Sequence, residues 1–311
     1  MSLINFFDNR RFWGGKRNKF LQKIYFYGIC NKLIEIIANI TLPLYLRLTR
    51  NNPQYTIPPS DKKSDRYIIS LTSFKPRIPK LWMVVESILR NNVKPDKIIL
   101  YLQLDSMNDV PKELIEQQKR GVEIVLCSTE LRSHNKYYHA IENYPEDCII
   151  TIDDDIFYRN DFMQSFVSLH KQYPKAIIAN RAKTIISGST LYKEWPDTEE
   201  QEENICMLPI GVGGVLYPPH SLYADVLEKH LIKELCLTAD DVWLSCMSIL
   251  QRTPKVFSNY KQGFVSIRIR NNTSLFDINL ERNQVCVDNL NAYYGKKLGI
   301  RPFIDLPQKE E

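Results

Sequence analysis

The run 148–152 constrains the fold more than any other stretch of the sequence. It is short, apolar and rich in β-branched residues, and it stops at three consecutive carboxylates, Asp153, Asp154 and Asp155. A strand of this composition is typical of a parallel sheet that is buried on both faces, and the carboxyl ends of such strands border the ligand crevice. The run therefore predicts three acids at the edge of a crevice. The alternative is an acidic strand-to-loop turn, because aspartate is common in turns.

The segments around this run alternate between strand and helix patterns. Before it, the sequence predicts strands at 67–71, 97–102 and 122–127 and helices at 79–91, 111–120 and 137–143. After it come a helix at 161–173 and a strand at 176–180. Strands separated by single helices are joined by crossovers and pair in parallel. We therefore predict an α/β domain with a Rossmann-type, mostly parallel sheet and flanking helices.

The N-terminal segment, residues 1–50, differs in charge from the rest of the chain. It carries nine Lys or Arg against Asp8 and Glu35, a net charge of +7, which leaves −2 of the total of +5 for residues 51–311. A nucleic-acid groove is therefore not expected in the main domain. Residues 10–50 have the pattern of a basic amphipathic helix, which would either lie on an anionic membrane surface or pack on the domain behind it. The proline-containing stretch 51–65 is interpreted as a linker, so the predicted domain spans 66–305.

Several classes of protein are disfavoured. The seven cysteines are scattered without a Cys-x-x-Cys pair, which is typical of buried thiols in a reducing compartment. The five histidines lack the spacing of zinc ligands. No uninterrupted apolar run approaches the ~18 to 20 residues that span a bilayer, and no secretory signal is recognised. A cytoplasmic protein is expected.

Three features lie beyond residue 190. An acidic loop between Glu194 and Glu203 is expected to be solvated or to act as a lid, and 264–270 is predicted as a strand that presents Arg268 and Arg270 on one face. A glycine-rich stretch, 210–219, lacks the Lys-Ser/Thr of a phosphate-binding loop, so its glycines are expected to allow close backbone approach to a ligand or another segment.

A fourth feature beyond residue 190 is a helix start with two acids. Asp240 and Asp241 open a predicted helix that follows Thr238. Two readings remain open. The acids can form a capping box with Thr238 as N-cap, or they can serve as a general base or a clamp for a substrate hydroxyl.

Five segments, taken in their order, resemble those of bacterial GT-A-type glycosyltransferases of capsule and lipopolysaccharide synthesis. They are 68–78, 131–138, the three acids at 153–155, 211–219 and 239–243. The resemblance covers about residues 66–305. It implies a GT-A-like fold and the transfer of a sugar from a nucleotide-sugar donor, with a UDP-sugar as the first expectation. The implied acceptor is a surface glycan or a lipid-linked glycan at the inner face of the cytoplasmic membrane.

The resemblance also implies roles for individual residues. Asp155, with Asp153, would bind Mn²⁺ or Mg²⁺, and Asp241, or its neighbour Asp240, would be the base. The residues implied in donor binding are Thr72, Ser73, Arg77, Lys136, Asp153 and Asp154. Those implied on the acceptor side are Gly213, Gly214 and Trp243.

The sequence departs from the family pattern at two places. The second strand ends in Gln103-Leu104-Asp105 without an Asp-Asp-Gly-Ser ending, and the last histidine is His230, so no C-terminal histidine completes a metal shell. Two other functions stay open. A nucleotidyltransferase also uses acids beside a nucleotide fold, although the Gly-rich basic loop after the first strand is missing. A non-catalytic protein that binds glycans or membranes is the second.

Overall fold

The computed structural model of the chain describes residues 2–11, 26–59, 65–127, 131–186, 191–260, 263–268 and 276–306. The helices are α1 Leu3–Asp8, α2 Phe26–Leu48, α3 Ile78–Leu89, α4 Lys112–Gln118, α5 Asn135–Asn143, α6 Phe162–Gln172, α7 Lys229–Leu235, α8 Asp240–Leu250 and α9 Phe276–Leu298. The strands are β1 Tyr67–Thr72, β2 Lys97–Gln103, β3 Val122–Cys127, β4 Cys148–Thr151, β5 Ile177–Ala179, β6 Ala182–Thr184, β7 Glu203–Asn204, β8 Met207–Pro209, β9 Val215–Tyr217 and β10 Lys255–Phe257. Every element predicted between residues 67 and 180 is present.

The central sheet has the strand order β3-β2-β1-β4-β9-β5-β10-β7. The first four of these strands are parallel, and Ser70 of β1 lies between Ile99 of β2 and Thr151 of β4. β9 runs antiparallel between β4 and β5, and β6 and β8 form a separate two-stranded sheet. The predicted fold class, a mostly parallel α/β sheet with flanking helices, is confirmed.

Both faces of the central sheet are covered. Side chains of a strand alternate between its two faces, and in β9 Val215 and Leu216 accordingly enter different apolar clusters. Leu216 packs in the cluster that contains α3 and α6, whereas Val215 packs in the one that contains α8 and α9. This burial explains why the sheet strands are continuous apolar runs without polar alternation.

The N-terminal helix α2 packs on the domain through one face. Ala38, Leu42 and Leu46 are fully buried in the first apolar cluster. The prediction that this helix packs on the domain is therefore confirmed for the buried face. The alternative, contact with a membrane surface, stays a prediction and concerns the opposite face. α2 is also long and apolar enough, by length and composition, to cross a membrane, with a mean hydropathy of 1.3 over its best window. The sequence analysis did not predict such a helix because Lys32 and Glu35 interrupt the apolar run.

The predicted strand at 264–270 is wrong over its described part. Residues 263–268 form an isolated bridge between Ser266 and Ile156 and no strand, and Arg270 lies outside the described residues. The backbone groups that a strand would use are taken by a side chain. The Asn39 side chain of α2 donates to Ser266 O at 2.8 Å and accepts from Arg268 N at 2.7 Å. The segment also crosses the end of β4, where Ile267 N donates to Asp155 O at 2.7 Å.

The acidic loop is anchored by an apolar side chain. Trp195 is 1 % exposed, and its carbonyl accepts a hydrogen bond from Lys183 Nζ at 2.6 Å. Glu199 and Glu200 point to solvent. Residues 187–190 lie outside the described part of the chain, and the lid function stays a prediction.

Candidate active site

The candidate site lies at the carboxyl ends of β1 and β4. The parallel register of these two strands brings the turn after Thr72 beside the acids after Thr151. The start of α5, the start of α8 and the turn before β9 complete the site, and each contributes a residue: Lys136, Asp241 and Gly211. Segments that are far apart in sequence therefore meet at one sheet edge, as the family resemblance implied.

Asp154 links β4 to the turn after β1. Its two carboxylate oxygens accept hydrogen bonds from Ser73 Oγ at 2.6 Å and from Arg77 Nη1 at 2.5 Å. Thr72 is also engaged, because its hydroxyl donates to Tyr101 O of β2 at 2.7 Å. The predicted donor-binding roles of Ser73 and Asp154 therefore need correction: their side chains bond to each other and hold the site together.

Asp155, like Asp153, remains partly exposed, whereas Asp154 is buried. The Asp155 side chain is 26 % exposed and lies 3.0 Å from Arg77 Nη1. Burial and the neighbouring Asp153 raise the pKa of Asp155 to about 6, although Arg77 opposes the shift. The carboxylate is therefore short of positive charge.

The carboxylates of the site fit a hard divalent cation that needs few protein ligands, such as Mg²⁺. Among the described residues no group of three or more His, Cys, Asp or Glu is arranged to hold a metal. Mg²⁺ and similar ions, however, bind through one or two carboxylates and complete their shell with water and substrate phosphate. The under-neutralised carboxylates of Asp155 and Asp153 match that requirement.

Lys136 is a buried cation between two acids. Its amine lies 2.6 Å from Asp240 Oδ2 and 3.5 Å from Asp153 Oδ1, and its side chain is 8 % exposed. Burial opposes its charge, yet Asp240 and Asp153 raise the pKa of Lys136 well above its usual value. Ser70 Oγ donates to Lys136 O at 2.5 Å and fixes the backbone. Lys136 is therefore not a surface cation, and its amine already serves two carboxylates of the protein.

The two acids at the start of α8 do not cap it. Ala239 is the N-cap residue, and no side chain caps the helix. The hydroxyl of Thr238 lies instead 3.8 Å from Cys286 Sγ. The capping-box explanation of Asp240 and Asp241 is therefore wrong, and both acids face the site.

Asp240 and Asp241 occupy environments that separate their pKa values. Burial would raise the pKa of Asp240, but Lys136 more than compensates and lowers it. Burial and the charge of Asp240 raise the pKa of Asp241 to about 7, against Lys136 and a hydrogen bond from the Gly211 N–H. Neighbouring acids with divergent pKa values are typical of a site where one is held ionised and the other exchanges a proton.

Gly211 is a site residue that the sequence analysis did not assign. A Cβ atom at this position would lie 2.7 Å from Lys136 Nζ and 3.0 Å from Asp241 Oδ1. A side chain at this position would displace the Lys136 amine and crowd the Asp241 carboxylate, so glycine lets the backbone N–H approach the carboxylate without moving either group. The three glycines in the stretch 211–214 indicated a close approach, but not which glycine makes it.

The predicted acceptor residues Gly213, Gly214 and Trp243 are all buried in the structure. The two glycines have positive φ angles, and their Cβ atoms would lie 2.6 Å from a ring carbon of Phe264 and 2.9 Å from one of Phe162. They are glycines because aromatic rings pack on them. Trp243 is fully buried, and its indole N–H donates to Val226 O at 3.1 Å, so neither face of its ring is available to a sugar.

Further residues around the acids have no sequence signal. The hydroxyl of Tyr158 accepts a hydrogen bond from Asp153 N at 2.9 Å. Tyr192 lies near Asp241, and burial and that carboxylate raise the pKa of Tyr192 to about 12. His134 is buried between Tyr137 and Cys236 O, and burial lowers its pKa to about 4. It is therefore neutral in the site.

Replacing Lys136 with methionine is expected to reduce the free energy of unfolding by about 3–5 kcal/mol near neutral pH, because it leaves Asp240 buried without its cation. The matched control is Lys97→Met, which removes a half-exposed pair with Glu123 at 2.9 Å and is expected to cost at most about 1 kcal/mol. The difference should shrink in acid as Asp240 becomes protonated. Urea unfolding at several pH values measures both; equal, small losses would contradict the buried-pair assignment.

Comparison with known proteins gives structural neighbours only. No protein-family model matches the sequence, and no curated protein sequence matches it. The chain is similar in structure to TarS from S. aureus in complex with UDP, with 9 % identity, a TM-score of 0.46 and coverage of 75 % of this chain and 74 % of that one. Apo UDP-glucose pyrophosphorylase follows with 11 % identity, a TM-score of 0.40 and coverage of 76 % and 100 %.

A third neighbour is the mannosyltransferase PcManGT from Pyrobaculum calidifontis in complex with GDP-Man and Mn²⁺. Its identity is 10 %, its TM-score is 0.37, and the coverage is 72 % of this chain and 64 % of that one. All three TM-scores are low, so the fold class rests on the strand order and register of this chain. The functional assignment rests on the residues of the site.

Proposed function

We propose that the protein is a metal-dependent glycosyltransferase that moves a sugar from a nucleotide-sugar donor to a glycan acceptor. The observation that carries the proposal is the separation of two acid groups around Lys136. One group, Asp153 and Asp155, follows β4 and stays partly exposed, and burial together with neighbouring acids raises the pKa of both carboxyls. The other contains Asp241, whose pKa lies near 7 beside an ionised Asp240.

The first acid group suits the leaving group of the reaction. The departing nucleoside diphosphate develops negative charge, which a divalent cation neutralises when it is bound. Asp155, assisted by Asp153, would hold Mn²⁺ or Mg²⁺. Arg77 adds a fixed positive charge 3.0 Å from Asp155. This set explains why three adjacent acids are retained at the crevice despite their mutual repulsion.

The second acid group suits the acceptor. Asp241 takes the proton of an acceptor hydroxyl as the oxygen bonds to the anomeric carbon, and the bond from that carbon to the diphosphate breaks with its electron pair leaving on phosphate. A base works best when its pKa lies near the operating pH. Asp240 is unsuited to this role because its ion pair with Lys136 lowers its pKa and makes it a weak proton acceptor. Its charge instead raises the pKa of Asp241.

The pH dependence of transfer is expected to follow Asp241. Because the base must be ionised and burial with Asp240 raises its pKa to about 7, kcat/KM should rise with pH through about 7 and fall about tenfold per unit below it. Initial rates measured across neutral pH at saturating metal give the profile. A profile that is flat through neutral pH and falls only near the ordinary pKa of a carboxyl would contradict the assignment.

Donor binding tests the proposal directly. The melting temperature is measured with a panel of UDP-, GDP- and CDP-sugars, each with and without Mn²⁺. At least one nucleotide sugar should raise it, and more so with Mn²⁺. A nucleoside triphosphate with a sugar 1-phosphate serves as the comparison, because release of pyrophosphate from that pair would instead show a nucleotidyltransferase. No shift with any donor would contradict the proposal.

A further inference from the structure

The helix α2 has apolar side chains on two opposite faces. One face, with Ala38, Leu42 and Leu46, is buried against the domain. On the other side seven large apolar side chains are exposed, and we call them the α2 stripe: Phe26, Ile29, Leu33, Ile37, Ile40, Leu44 and Leu48. They lie three or four positions apart and so form a band about 100° wide along the helix.

The exposure of the α2 stripe is extensive. Ile40 is 70 % exposed, and Leu48, about two helical turns further along, is 76 % exposed. Isolated exposed leucines are ordinary, but a contiguous apolar band of this kind marks an interaction surface. A partner is therefore required to remove the band from water.

Polar contacts fix the direction in which the α2 stripe faces. The Asn39 amide bonds Ser266 O and Arg268 N, and Arg90 Nη2 donates to Leu46 O at 3.0 Å. Glu35 lies 3.9 Å from Arg11. These contacts hold α2 lengthwise on the domain, so the stripe cannot turn inward and the helix does not project from the surface.

The charge of the segment identifies the partner. Between Asp8 and Glu35 the sequence contains no acid and seven bases: Arg10, Arg11, Lys16, Arg17, Lys19, Lys23 and Lys32. A second copy of the chain packed along the α2 stripe in parallel would bring two such segments together. An antiparallel copy would place them near the other end of α2, where Glu113 and Glu116 are already paired with Arg47 and Arg50 at 2.9 and 2.8 Å. An anionic lipid surface attracts all of these bases and buries the apolar band at the same time.

We propose that α2 lies in the plane of an anionic phospholipid membrane, with the α2 stripe at the boundary of headgroups and acyl chains and the domain on its opposite face. Spanning the bilayer would instead require α2 to leave the domain. Ala38, Leu42 and Leu46 would then lose their packing, and Asn39 would lose both hydrogen bonds. The inference goes beyond the proposed enzymatic function and does not depend on it.

Vesicle co-sedimentation of the full chain tests this attachment. The protein should bind vesicles of phosphatidylglycerol and phosphatidylcholine and bind phosphatidylcholine alone more weakly. The double variant Ile40→Asp/Leu44→Asp should weaken binding to the anionic vesicles about a hundredfold, because two apolar side chains are replaced by acids. The matched control is Val285→Asp on α9, where the valine is 57 % exposed, and this variant should bind as the wild type does.

Circular dichroism and the melting temperature establish that each variant is folded. Absence of binding by the folded wild type to anionic vesicles would overturn the proposal. So would a dimer in solution that the double variant dissociates, because the stripe would then be covered by a second copy. Donor hydrolysis without vesicles is followed in parallel, and it should be the same in the double variant and the wild type. Loss of membrane binding is thereby distinguished from failure of the proposed activity.

The depth of the helix separates a lying from a spanning arrangement. Environment-sensitive fluorophores are attached at Leu33→Cys and Leu48→Cys in a background with Cys30→Ser and Cys206→Ser. Depth-dependent lipid quenchers should then report the same shallow depth at both positions. A deep position at one site and a shallow one at the other would overturn the in-plane arrangement.

Discussion

Replacing Asp241 with asparagine is expected to lower kcat/KM for sugar transfer by about 10²–10⁴-fold, the usual contribution of a general base. Asparagine keeps the shape of the side chain and can still accept the Gly211 N–H, but it cannot take a proton. Steady-state transfer kinetics measure the loss, and the profile of any residual activity should no longer rise through neutral pH.

The matched control is Asp240→Asn, which changes the neighbouring acid. This variant removes the carboxylate that lies 2.6 Å from Lys136 Nζ, so it is expected to lower stability and to shift the pH profile of transfer to more acidic values, since Asp240 raises the pKa of Asp241. A loss of rate that is the same in both variants, with no change in either pH profile, would contradict the separate roles of the two acids.

Asp241→Asn is expected to raise the stability of the protein above neutral pH although it lowers the activity. The pKa of Asp241 is raised in the folded state to about 7, so the folded protein binds a proton more tightly than the unfolded chain. Its ionised form then destabilises the fold as pH rises from the unfolded pKa through about 7. The asparagine variant should therefore be as stable as the wild type in acid and more stable above neutral pH.

Replacing Asp155 with alanine is expected to lower transfer by about 10³-fold or more, because it removes the principal ligand of the metal that neutralises the leaving diphosphate. Stability should change little: an ion pair with Arg77 at 3.0 Å is lost, but a carboxylate whose pKa is raised to about 6 is removed with it. Activity and metal-dependent donor binding are measured together.

Asp305→Ala provides the control for Asp155→Ala, since Asp305 forms a surface pair with Arg301 at 2.7 Å away from the crevice acids. It should retain full transfer. Excess EDTA added to the wild type should reproduce the loss seen in Asp155→Ala, and Mn²⁺ should restore it in the wild type alone. Full activity of Asp155→Ala, or of the wild type in EDTA, would contradict the metal assignment.

The first half of the fold was predictable because its strands are buried on both faces. The continuous apolar runs that follow Lys97 and precede Asp153 need no tertiary information to be recognised. The strand predicted at 264–270 failed because alternation alone does not identify a partner. Asn39, which is more than 200 positions away, binds the backbone atoms of Ser266 and Arg268 that a strand would use.

The acids of the site were predictable, but their division of labour was not. Adjacent aspartates look alike in sequence, and only the structure separates Asp154, bonded to Ser73 and Arg77, from Asp155, which remains open. Lys136 was recognised as a site residue, but its burial between acids from two other elements depends on the packing of α5 and α8. The glycines were equally ambiguous. A glycine against which an aromatic ring packs cannot be told in the sequence from a glycine whose backbone approaches a carboxylate.

The measurement that tests the central claim most directly is release of nucleoside diphosphate from a panel of nucleotide sugars by the purified protein with Mn²⁺. We expect release from at least one nucleotide sugar, faster with an acceptor glycan present and at least about a hundredfold slower in Asp155→Ala and Asp241→Asn. Release of no diphosphate from any donor, or undiminished release by both variants, would contradict it.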